Sequence, residues 1–158
     1  MLIGIIISAV AIAIGVVIGL KLRGEQKGLV EKGYIVKRDR KFAERGTEFC
    51  ARIGTKNKLA EAFAANAFPC EVSGTTSQAQ FNGKKYTARL FSTYYDEASG
   101  TAVYRFEFTS WKTYNGMYED SIGMNRLMTL IENIFLNLDP NTAVKNYPLN
   151  LKVKHKLF

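Results

Sequence analysis

Hydrophobic and polar positions change rhythm several times along this chain. From Met1 to Leu20, MLIGIIISAVAIAIGVVIGL, there is no rhythm: the run is apolar on every side and holds no charged residue. As a helix it would be about 30 Å long, the thickness of a bilayer's hydrocarbon core. Period-two alternation begins near Glu48, where Phe49, Ala51 and Ile53 alternate with Glu48, Cys50 and Arg52, and predicts a strand to Gly54. Thr55 is placed to N-cap a helix from Lys56 to about Ala67, which Pro69 ends.

Alternation returns from Thr76 to Phe81 and from Lys84 to Tyr95. Between them Asn82-Gly83 predicts a two-residue type I′ hairpin. Asp96–Gly100 makes a looser turn, and Thr101–Lys112 reads as a third strand of the meander. Its core face is Ala102, Tyr104, Phe106 and Phe108. Val103, Arg105, Glu107 and Trp111 fall on the other face, where Glu107 reads as exposed surface. Helical spacing follows from Tyr118 to Asn137, with Met124, Leu127, Met128, Ile131, Ile134, Phe135 and Leu138 on one stripe. After Pro148 the tail alternates leucine and valine with lysine and predicts an edge strand, since lysine blocks further pairing; a disordered basic tail touching lipid is the competing reading.

These elements predict an α+β chain. An N-terminal transmembrane helix (1–20) precedes a basic juxtamembrane connector (21–45). A small domain (46–158) follows, an antiparallel sheet of about four to five strands packed against two helices in the order β-α-β-β-β-α-β. In the connector Gly24, Gly28 and Gly33 interrupt helical spacing, and Tyr34–Val36 suits a short strand.

Charge sharpens the reading of the first run. A cleaved signal would need a basic start and a polar, small-residue end, and neither is present. The run therefore predicts a spanning helix. Basic residues crowd its C-terminal flank, and lysine and arginine stay on the cytoplasmic side. The expected topology is a cytoplasmic domain with Met1 outside; an extracytoplasmic domain is the alternative. Ala11, Gly15 and Gly19 fall four apart on one face, a candidate helix–helix contact for a homodimer.

Residues 21–58 hold twelve Lys and Arg against five acids, residues 59–144 six against nine, and residues 145–158 four lysines and no acid. The folded centre is acidic and the ends are basic. A nucleic-acid domain carries its basic face on the fold itself, so nucleic acid is disfavoured. Lys21, Arg23, Lys27, Lys37, Arg38, Arg40 and Lys41 are instead candidate contacts to a membrane surface with anionic lipid headgroups.

Candidate chemistry adds little. The one histidine, His155, stands near the end of the sequence, so no histidine pair is available to a metal, and no cofactor is implied. Cys50 and Cys70 are expected to be small, buried and reduced. The sequence holds no G-x-S-x-G, P-loop, dinucleotide fingerprint or H-E-x-x-H. Tyr94, Tyr95, Trp111, Tyr114 and Tyr118 sit near element ends and are candidates for a pocket or partner surface. The expected function is a non-enzymatic interaction or assembly module on a single-pass membrane protein. The alternatives are a lipid or small-ligand domain with its cavity between sheet and long helix, then a small membrane-bound enzyme using Glu107 or Asp120.

Overall fold

The computed structural model describes residues 24–149. The chain divides into two compact units, Met1–Lys37 and Arg38–Phe158. The expected anchor, Met1–Leu20, lies outside the described residues, as does the tail from Asn150. Among the described residues no helix is long and apolar enough to cross a membrane.

In the first unit residues 24–31 are helical despite Gly24 and Gly28. Gly33, at φ 71°, ends the helix. Its N–H bonds to the Val30 carbonyl at 2.9 Å and the Tyr34 N–H to the Leu29 carbonyl at 2.9 Å, the paired bonds of a Schellman cap. The glycine expected to break a helix caps it instead, and Tyr34–Val36 is not a strand.

The second unit is a small α+β domain built on an antiparallel sheet. After a 3₁₀ turn at Phe42–Glu44 come β1 (Arg45–Arg52), α1 (Lys56–Ala64), β2 (Glu71–Thr75), β3 (Gln78–Asn82), β4 (Tyr86–Asp96) and β5 (Thr101–Trp111). The short β6 (Thr113–Tyr114) and β7 (Met117–Tyr118) precede α2 (Ser121–Leu138) and β8 (Ala143–Pro148). The main sheet has six strands in the order β2-β3-β4-β5-β1-β8, and β6 and β7 pair alone. Two strands exceed expectation on either side of the meander. β2 was missed because EVSGT has little β-propensity and every residue in it is exposed. β8, before Pro148, pairs with β1 and was not expected; the edge strand expected after Pro148 falls almost wholly outside the described residues.

Helix and strand boundaries follow local chemistry. The Thr55 hydroxyl accepts from the Lys58 N–H at 3.4 Å, and Asp120 Oδ1 accepts from the Gly123 N–H at 3.0 Å, so each helix starts on a side-chain cap. Asp139 stops α2. Its carboxylate accepts the N–H of Arg52 at 2.8 Å and of Asn141 at 2.9 Å, tying the helix end to β1.

The hairpin turns are the reverse of expectation. Asn82 and Gly83 are not in the left-handed region; the β3–β4 tip is Lys84-Lys85, closed by the Gly83 N–H on the Tyr86 carbonyl at 3.0 Å. The type I′ turn is at the other Asn-Gly pair, Asn115 (φ 48°) and Gly116 (φ 72°), between β6 and β7. Both pairs satisfy the same local rule, and cross-strand register selected between them.

Both helices pack on one face of the sheet. Phe49, Phe81, Leu90, Tyr104, Phe106 and Phe108 meet Leu59 of α1 and Met124, Leu127, Ile131, Ile134 and Phe135 of α2 in one buried cluster. Phe135 stacks on Phe49 with centroids 4.7 Å apart and planes 7° apart, and Tyr104 lies 5.3 Å from Phe135. Phe106 touches Phe108 at 5.1 Å and Phe81 at 6.1 Å. The period-two face of β5 and the helical stripe of α2 meet as their spacing predicts.

Removing Phe106 to alanine should cost about 3–5 kcal/mol, by lost burial and the cavity left behind. Urea unfolding followed by the fluorescence of Trp111, the chain's one tryptophan, measures it.

A second expectation concerns acid. Backbone N–H groups hold the Asp139 carboxyl below its usual range, and the Ser99 hydroxyl and Ala98 N–H do the same for Asp96. A depressed carboxyl contributes stability that is full above its unfolded value, about 3.9, and is lost as pH falls through the lower folded value. Asp139→Ala should therefore be less stable than wild type at pH 7, and the gap should close well below about pH 4. Urea midpoints across that range test the sign; a gap that stays constant would refute it.

Candidate functional site

Among the described residues of the second unit no helix packs on the sheet's other face, which carries an ordered polar lattice. Strand pairing sets Arg89 beside Glu107, Arg105 beside Glu48 and Glu48 beside Lys145. Arg89 Nε and Nη2 donate to Glu107 Oε2 at 2.9 and 2.7 Å. The other oxygen of Glu107 accepts the Tyr147 hydroxyl at 2.7 Å. Tyr147 belongs to β8 and Glu107 to β5, with β1 between them. The reach is possible because Tyr147 pairs with Gly46 on β1; a Cβ there would collide with the tyrosine ring. Arg105 Nε donates to Glu48 at 2.8 Å, and its guanidinium lies 4.9 Å from the Tyr147 ring centroid.

Glu107, expected to be exposed, is only 12% exposed at its side chain. Period two placed it on the outer face correctly. What it did not reveal is that Arg89 and Tyr147 converge on it from two strands. Burial pushes the Tyr147 phenol well above its ordinary value, and the hydrogen bond to Glu107 adds to the shift.

Below this lattice, toward the β4–β5 turn, the face turns apolar: Val103 pairs with Cys50 and Tyr94, and Cys50 with Ala143. Cys50 is therefore exposed on the outer face, against the expectation of burial. Cys70 is half-buried and packs against the core. Burial pushes its thiol up, so it stays protonated and a weak nucleophile at neutral pH.

Two β-bulges redistribute the candidate aromatics. Ala88 pairs with Phe108 but Thr87 with Ser110, so Thr109 is an extra residue in β5. Beyond it the alternation inverts, and Trp111 turns to the covered face instead of the outer one. There it meets Tyr118 edge-on at 5.8 Å, and Tyr118 meets Phe42 at 5.4 Å. Burial, then the nearby Glu44 charge, pushes the Tyr118 phenol to about 12. At the second bulge Thr93 is the extra residue. Tyr94 is left 56% exposed on the outer face, while the Tyr95 hydroxyl bonds to the Gly54 carbonyl at 3.0 Å. Tyr114 is 70% exposed at the β6–β7 tip. The five aromatics thus fall into two groups at opposite ends of the sheet, separated by roughly 30 Å of strand.

The basic candidates also separate. Lys21 and Arg23 lie outside the described residues, as do Ala11, Gly15 and Gly19. Lys27, Lys37, Arg40 and Lys41 are exposed. Arg38 is held within the domain: Nη1 donates to Glu132 Oε1 at 3.0 Å, Nη2 to Glu132 Oε2, Nε to Asn125 at 3.1 Å and Nη2 to Thr129 at 3.3 Å. Its side chain is only 12% exposed, so its charge is spent on α2.

Among the described residues no cluster of three or more His, Cys, Asp or Glu stands ready for a metal. The space between sheet and α2 is filled by the stacked rings described above. An open groove of about 540 Å³ lies instead at the β2–β4 edge, with Ser73, Thr75, Gln78, Gln80, Arg89 and Thr109 in its wall. The fold and this surface define a small α+β domain with one covered and one open sheet face. Comparison with family models, curated proteins and solved structures finds no match to the chain.

Glu107→Ala should cost about 1–2 kcal/mol, because three charge-assisted bonds are lost and the Tyr147 hydroxyl and Arg89 are left without them. The exposed Arg89 limits the loss. Glu107→Gln should lower the Tyr147 pKa toward the ordinary tyrosine value of about 10. Urea unfolding and the pH titration of tyrosinate absorbance measure the two effects.

Proposed function

We propose that this chain is a single-pass membrane-anchored protein whose α+β domain serves as a non-enzymatic interaction or assembly module at the cytoplasmic membrane surface. The observation that carries the reading is the division of the sheet. One face is filled solidly by α1 and α2, and the other is open, ordered and built of paired charges around an apolar strip. A surface of that kind binds by matching charge and shape, without a cavity. The anchor rests on the uncharged run Met1–Leu20 and the basic flank after it.

The lipid-pocket alternative draws no support from the sheet–α2 interior, where Phe49, Phe135 and Tyr104 are in ring contact. The enzyme alternative draws none from its two carboxylates. Glu107 is bound by Arg89 and Tyr147, and Asp120 caps α2.

Two measurements test the reading. A chain beginning at Gly24 should leave the membrane fraction at high salt, where surface attraction is screened, while the full chain stays. Cys50, exposed on the sheet, reports sidedness without an engineered probe. An impermeant maleimide should label it only after lysis, with Cys50→Ser as the blank. Labelling of intact cells would reverse the topology.

A further inference from the structure

Strand topology gathers separate parts of the sequence at one end of the sheet. β1 begins there, β4 begins there, and β5 and β8 end there, as the pairs Arg45 with Pro148 and Tyr86 with Trp111 require. The segment Arg38–Glu44 therefore leads into β1 at this end, and Leu149 follows β8 at the same end, where the Leu149 N–H reaches the Glu44 carbonyl at 3.4 Å. The Lys84-Lys85 turn stands there too, joined to β5 by the Lys112 N–H on the Lys85 carbonyl at 2.9 Å.

Most acids at this end are engaged: Asp39 pairs with Arg45 at 3.1 Å, Glu44 with Lys41 at 3.9 Å and Glu119 with Lys85 at 2.9 Å, while Asp120 caps α2. Glu71, which opens β2 beside Asn82 on the far edge strand, is exposed and has no ion pair among the described residues. Arg40, Lys84 and Lys112 are exposed and have no ion pair among the described residues. The end is left with excess positive charge.

From it projects the β6–β7 hairpin. Its base is fixed by Tyr118 between Phe42 and Trp111 and by the Glu119 N–H on the Lys112 carbonyl at 3.0 Å. Its tip is the type I′ turn, with Tyr114 and Met117 paired on either side of it. Those two side chains are 70% and 60% exposed. An amphipathic ring and a flexible thioether are thus held in solvent on a firmly seated two-residue turn.

We propose that this end of the domain lies against an anionic lipid surface. Tyr114 and Met117 enter the headgroup layer, and Arg40, Lys84 and Lys112 meet lipid phosphate. The inference rests on the membrane reading above and adds to it the residues that make the contact. Tyrosine suits the headgroup boundary, with an apolar ring and a polar tip. Basic residues around an apolar tip match an anionic surface in charge. Two side chains are too small a patch for a stable protein interface, which needs about 800 Å² per partner. Insertion at a lipid boundary needs only a small apolar tip with basic neighbours. The fixed turn limits the entropy lost on docking.

The test uses the full chain reconstituted into vesicles of phosphatidylcholine, with or without phosphatidylserine. A polarity-sensitive fluorophore is placed on Met117→Cys in a Cys50→Ser, Cys70→Ala background. A control carries it on Ala98→Cys, in the turn at the opposite end of the sheet. With phosphatidylserine the fluorophore at 117 should shift to the blue and be quenched by nitroxide-bearing lipid, and high salt should reverse both. The fluorophore at 98 should stay water-like. Lys84→Glu with Lys112→Glu should weaken docking by at least about tenfold, from roughly fivefold per basic residue removed. Flotation of the same vesicles at high salt reads the anchor separately. Chains that float while the fluorophore at 117 stays aqueous overturn this inference and leave the anchor standing. Chains that fail to float overturn the membrane reading itself. Equal shielding at 117 and 98, or shielding at 117 in cells but never in pure lipid, also overturns it; the latter would assign the tip to a protein.

Discussion

The contact between α2 and the covered face of the sheet organises the domain. Phe135 lies flat on Phe49 and against Tyr104, so one helix turn bridges β1 and β5, adjacent strands at the centre of the core. Leu127 and Ile131 continue the same stripe onto the rings of β5. Most of the domain's large apolar side chains are spent on this layer, and both helices with it, so neither covers the second face. The ends of the contact are tied by polar groups: Arg38, largely buried, on Glu132 along the helix, and Asp139, at the surface, on the N–H groups of Arg52 and Asn141 at its end.

The second face is stabilised differently. No helix layer of the domain closes over its apolar strip, so its order comes from cross-strand pairs, of which the group around Glu107 is the most enclosed. Gly46 matters there because of what it lacks. The missing side chain lets a tyrosine on the edge strand reach across β1 to a carboxylate on β5. The same pleated sheet thus presents packed rings on one side and a charge lattice on the other, and the alternation of residues along β5 serves both.

Topology then assigns work to the sheet's ends. An antiparallel arrangement with β1 between β5 and β8 brings the start of β1 and the end of β8 to one end. Basic segments remote in sequence become neighbours there, beside the hairpin that exposes Tyr114 and Met117. No segment taken alone carries this arrangement: Lys84-Lys85 reads as an ordinary soluble turn, and Thr113–Tyr118 as an interruption between strand and helix.

The amino-acid pattern by itself determined the α+β class, the meander of β3, β4 and β5, both helices and the core faces of β5 and α2. Those features depend on period, capping and burial, all local or nearly so. It did not determine β2, whose residues are held by pairing with β3 and bury nothing of their own. It could not choose between Asn82-Gly83 and Asn115-Gly116 for the type I′ turn, because each satisfies the turn equally and only register distinguishes them. It assigned Trp111 to the wrong face, because a single extra residue at Thr109 inverts every later position and leaves no mark in the alternation. The partners of Glu107 and of Arg38 lie on other strands and on a distant helix. Which charge meets which is decided by strand order and helix placement, and these are settled only when the whole apolar layer closes.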